Sequence, residues 1–70
     1  MRYITTFELE DAPYRRALVV EAESKRAART GVKRVFPGAR KFLSYTESEY
    51  PHDVSYMVPG AELPDWLIFG

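Results

Sequence analysis

Residues 24–41 read SKRAARTGVKRVFPGARK, seven Lys or Arg with no Asp or Glu, in a chain whose formal net charge is zero. Cations gathered without acids among them suit one kind of chemistry: they hold polyanions, either phosphates or a carboxylate-rich protein surface. On a helix advancing 100° per residue, Lys25, Arg26, Arg29 and Lys33 fall within about a 100° arc, alongside an apolar stripe of Ala28, Val32 and Val35. Arg34 lies further round, and Arg40 with Lys41 carries the patch into the next segment. No helical cation has an acid at i±3 or i±4 within the helix, so their mutual repulsion is not relieved locally. A solvated face is the bland alternative, as is an internal match to residues 47–70, which hold five acids, one His and no Lys or Arg.

Two further stretches carry chemically able residues. In ESEYPHD, Glu47, Glu49, His52 and Asp53 offer carboxylate and imidazole groups, but their spacing fits no established metal loop, and a solvated acidic loop is the expectation. The C-terminal Trp66, Leu67, Ile68 and Phe69 form an apolar run beside Asp65, suited either to docking on a partner or to closing this chain's own core as a last strand.

Enzymatic chemistry finds few tools. No serine sits in a G-x-S-x-G elbow, His52 is the sole histidine, and four scattered glycines build neither a P-loop nor a GxGxxG cradle. Absence of Cys excludes disulfides and thiolate zinc sites and suits a reducing cytoplasm. No cofactor, metal or small-molecule substrate is implied, and no run is apolar enough to predict a membrane span. Nucleic-acid reading is disfavoured by the zero net charge, by the lack of a recognisable reader motif, and by the absence of Asn and Gln, the bidentate readers of adenine.

The elements that position these residues follow from periodicity. RYITTFELE alternates, with Tyr3, Thr5, Phe7 and Leu9 on one face; EDAP signals a turn; YRRALVVEA alternates again, so the two form a hairpin. Ser24 is a good N-cap and Pro37-Gly38 a stop, which predicts a helix over about 24–36. Gly31 inside it suggests close packing on a sheet. RKFLSYTE predicts a third strand, VSYMV a fourth with Val54, Tyr56 and Val58 on one face, and the tail a further strand.

The expected fold is thus α+β: one domain over residues 1–70, ββαββ with an extra C-terminal strand, its mainly antiparallel sheet carrying one helix on one face. A core this small often gains from a partner subunit, so a homodimer is a default expectation. The functional expectation is a non-enzymatic, cytoplasmic interaction or regulatory module, of the accessory kind found in phages and bacteria. Its partner is a protein, either another protein or a second copy, met through Lys25, Arg26, Arg29, Lys33, Arg34, Arg40 and Lys41 and through the Trp66–Phe69 tail. The alternative is a nucleic-acid-binding module using the same helix face on phosphates.

Overall fold

The computed structural model describes residues 1–69, with side chains for all of these but Ala12, Pro13 and Phe69. Its elements are β1 (Arg2–Leu9), β2 (Ala12–Glu21), α1 (Lys25–Val35), β3 (Ala39–Thr46) and α2 (Asp65–Phe69). The three strands form one antiparallel sheet in the order β2-β1-β3.

The expected hairpin and helix are present. Leu9 pairs with Ala12 across the turn at Glu10 and Asp11. The Ser24 hydroxyl accepts the Ala27 N–H at 3.1 Å, satisfying an orphan donor of the first turn of α1. The last turn closes with the Phe36 N–H donating to Val32 O at 2.8 Å, and Pro37-Gly38 then reverses the chain so that the Ala39 N–H meets Phe36 O. Of the predicted apolar stripe only Ala28 and Val32 are buried; Val35 is 65% exposed. Three residues advance a helix by 300°, so Val35 has rotated about 60° away from Val32 and past the edge of the sheet.

Being central, β1 is buried on both faces, from Tyr3 through Phe7. On one face Phe7, Leu18, Val32 and Ala39 make a core beneath α1, with Phe36 and Phe42 against it. On the other, Ile4, Ala17 and Val19 pack with Tyr50, Val54, Leu63 and Leu67. Residues 47–69 therefore pack on the second face of the sheet instead of adding the two further strands expected of them.

The fourth strand is a correction. Residues 54–58 form turns: Asp53 Oδ1 accepts both the N–H and the hydroxyl of Ser55, and the Met57 N–H bonds Val54 O. Such local side-chain bonds compete with a ladder. Val54 is buried while Tyr56 and Val58 are 65% and 66% exposed, so the three share no face. The backbone meets the sheet later. Gly60 N–H donates to Val19 O at 2.7 Å, Val19 N–H to Ala61 O at 3.0 Å and Leu63 N–H to Ala17 O at 2.9 Å, which caps part of the β2 edge.

The tail is a second correction. Asp65–Phe69 is a short helix, with Leu67 in the core and its carbonyl accepting the Tyr50 hydroxyl at 2.8 Å. Trp66 is 64% exposed and Ile68 half-buried; the Phe69 side chain lies outside the described residues. Leu67 therefore closes this chain's own core and is withdrawn from any docking surface.

The end of β3 is held by a capping box. Thr46 N–H donates to Glu49 Oε1 at 2.8 Å, and Glu49 N–H returns a bond to Thr46 Oγ1. Lys25 Nζ stands 3.0 Å from the same oxygen. The Thr46 amide, then Lys25, draw the Glu49 carboxyl from its ordinary 4.5 down to about 2. A depressed carboxyl pKa contributes stability above its unfolded value and loses it as pH falls through the folded one. Thermal stability should therefore decline between about pH 4.5 and pH 2, and a Glu49→Gln variant followed by circular dichroism should show a shallower acid limb. Equal slopes in the two proteins would remove Glu49 as a cause.

Candidate functional site: a cationic helix face and the groove beside it

α1 carries its cations on two flanks. Lys25 and Arg29 lean towards β3: Lys25 pairs with Glu49, and the Arg29 guanidinium lies over the Phe42 ring, 5.6 Å from its centroid. Arg26, Thr30 and Arg34, spaced four apart and so on one helical line, look instead towards β2. They wall a cleft of about 520 Å³ whose other side is Val20 through Ser24, including Glu21 and Glu23. The strand-to-helix link folds the start of α1 back against the end of β2 and creates this opening.

A smaller cavity of about 250 Å³, lined by Leu18, Val20, Val35, Pro59 and Gly60 among others, shares Val20, Glu21 and Gly31 with the cleft. The two form one groove along the edge of β2. It is charged at the end near Arg26 and apolar at the end near Val35 and the Pro59-Gly60 turn.

Gly31 lies at the junction. A Cβ there would stand 3.5 Å from Val20 Cγ1, an ordinary contact, so close packing does not demand glycine at this position. Glycine costs about 1 kcal/mol against alanine in a helix interior, and Gly31→Ala should raise the unfolding free energy by about 0.5–1 kcal/mol in urea titration. A destabilised variant would show that the contact with Val20 is tighter than this geometry.

Ion pairs divide the expected cationic residues. Among the described residues, the acidic last third engages Arg2 through Glu47 (3.5 Å), Lys25 through Glu49 (3.0 Å) and Arg16 through Glu62 (2.6 Å). Lys41 reaches Glu8 at 3.7 Å. Arg26, Arg29, Lys33, Arg34 and Arg40 join none of these pairs, and all five are exposed. Lys25 and Arg26 also oppose the positive N-terminal end of the helix dipole, and only Lys25 has a carboxylate to offset this.

No protein-family model, curated protein or solved structure matches this chain. Its function must therefore be read from the surface itself.

The other sequence-derived candidates separate. Glu47 and Glu49 turn to Arg2 and Lys25, Asp53 to Ser55, and the His52 ring meets the edge of Tyr50 at 5.9 Å. Among the described residues no group of three or more His, Asp or Glu is placed to hold a metal ion. Trp66 is the exposed remnant of the tail motif.

Periodicity missed the residues opposite the helix. Glu21, Glu23 and the 59–60 turn belong to the groove only because the chain folds back twice onto the β2 edge. Arg16 was missed as well. It donates from Nε and Nη2 to the Glu62 carboxylate at 2.9 and 2.6 Å and lies 4.7 Å from the Phe36 ring centroid. Its role is to tie residues 60–63 to the helix-side core, and the Glu62 carboxylate raises its pKa further. The signal was an arginine at an inward strand position, Arg16 opposite Phe7.

Proposed function

We propose that this chain is a non-enzymatic binding module that takes a protein partner on the α1 face and in the adjoining groove, the partner segment being acidic at one end and apolar at the other. One observation carries the reading: five cations of the basic run join no ion pair among the described residues, although the acidic third lies close enough to pair with Lys25. An acidic segment supplies the missing counter-charge to Arg26 and Arg34. Apolar side chains of the same segment would cover Val35 and the half-buried Val20.

Nucleic acid is the alternative occupant of these cations. Glu23 on the facing wall opposes it, because a phosphate seated between Arg26 and Arg34 would meet that carboxylate, Glu21 being paired with the Met1 ammonium at 3.0 Å. A protein segment acidic towards Arg26 and Arg34 can set a Lys or Arg against Glu23. Among the described residues no helix is long and apolar enough to cross a membrane.

Fluorescence anisotropy tests the proposal with four labelled probes: an acidic-apolar peptide library, duplex DNA, single-stranded DNA and RNA, each at low and near-physiological salt. Library members with acids at one end and apolar residues at the other should bind and persist at higher salt. Tighter binding of the nucleic acids, weakening steeply with salt, would overturn the protein reading in favour of phosphate.

A further inference from the structure

The sheet has one capped edge and one open edge. β2 is partly covered by residues 60–63, whereas among the described residues β3 pairs only with β1. The direction of its backbone groups follows from the rest of the sheet. Val19 spends its N–H and C=O on residues 60 and 61, away from β1. Alternation then points the groups of Ile4 at Tyr45, those of Tyr45 back at Ile4, and those of Ser44 outward. Thr46 N–H is outward too and is consumed by Glu49. Below Leu43 the register shifts by one residue, with Lys41 at φ 58°, a bulge that ends regular pairing there. An open window of Phe42 to Ser44 remains, and neither flanking residue has a backbone partner beyond the sheet among the described residues.

We infer that this window is a self-association edge, occupied by β3 of a second copy running antiparallel. The sequence of the window is self-complementary. Pairing Phe42 with Ser44 of the second copy, and Ser44 with its Phe42, satisfies every outward group of the window and sets Leu43 against its own equivalent on the two-fold axis. Leu43 is 55% exposed in the single chain, a large apolar side chain in mid-strand with more than half its surface bare, and its equivalent supplies the cover. The charges at the two ends match as well. Arg40, which joins no ion pair among the described residues, precedes the window, and Glu47, held at 3.5 Å by Arg2, follows it, so antiparallel pairing runs Arg40 of each copy beside Glu47 of the other.

The two-fold axis stands perpendicular to the sheet, which keeps both α1 helices on one face of a six-stranded sheet. The groove lies on the opposite edge, along β2, and stays open in both copies. The pairing therefore stands or falls independently of the proposed partner site, and it would present that site twice.

Sedimentation velocity on the full chain from about 1 µM to about 1 mM, with amide exchange by NMR at both ends of that range, tests the edge. The expected result is a monomer–dimer equilibrium in which the Ser44 and Phe42 amides become protected as dimer forms. Leu43→Asp, with its fold checked by circular dichroism, should move the midpoint to at least about tenfold higher concentration. Arg40→Glu, at an exposed residue, should move it in the same direction and serves if the first variant fails to fold. A chain that stays monomeric throughout, or a dimer that leaves Ser44 exchange unchanged, overturns the inference.

Discussion

Leu67→Ala should lower the unfolding free energy by about 2–5 kcal/mol, while Trp66→Ala beside it should change it by less than about 0.5 kcal/mol. The two residues are neighbours on a five-residue helix and were equivalent in the sequence pattern. Burial separates them: Leu67 is 3% exposed among Ile4, Ala17, Val19 and Tyr50, whereas Trp66 is 64% exposed. A five-residue helix is too short to hold itself together. Its stability comes from seating Leu67 and from the Tyr50 hydroxyl bond to the Leu67 carbonyl. Since a domain of this size is marginally stable, a loss at the upper end of that range would leave much of the chain unfolded at room temperature. Urea denaturation of both variants decides the matter. Equal small losses would mean that the tail is peripheral and free to serve as a docking element.

The second large effect concerns binding. Reversing Arg26 and Arg34 to Glu should weaken a cognate acidic-apolar segment by about 100-fold, because two attractions become two repulsions. Exposed ion pairs contribute at most about 1 kcal/mol each, so four such changes sum to roughly 2–3 kcal/mol. Neither arginine has an ion pair to lose within the described residues, and the fold should survive. The companion reversal of Arg29 and Lys33 addresses the outer, β3-ward part of the helix and should weaken binding less. If it proves the more damaging pair, the partner lies across the exposed helix face and the groove is incidental. Measuring both variants against the peptide library and against nucleic acid distinguishes an altered site from an altered partner class.

The local elements were legible because their signals are local. An alternating run, a Ser cap and a Pro-Gly stop each act within a few residues, and the hairpin, α1 and β3 stand where those signals lie. The cationic run was legible for the same reason. The second half of the chain was not. VSYMV alternates as a strand should, but Asp53 captures Ser55 locally, and Pro51, Pro59 and Pro64 punctuate the stretch with residues that cannot donate to a ladder. Tyr50, Val54, Leu63 and Leu67 are buried all the same, through packing on the face of the sheet that α1 leaves free.

Charge divides in the same way. Composition alone determined that the chain is basic in its middle and acidic at its end. Which charges are free was decided by tertiary structure, since Glu47, Glu49 and Glu62 reach Arg2, Lys25 and Arg16 across more than twenty residues of chain. The groove and the open β3 edge have the same origin. Each is a property of the order β2-β1-β3, which decides what covers an edge and what leaves it bare. The reason is geometric: periodicity assigns a side chain to one side of its own element, but only the packing of distant elements determines what lies on that side.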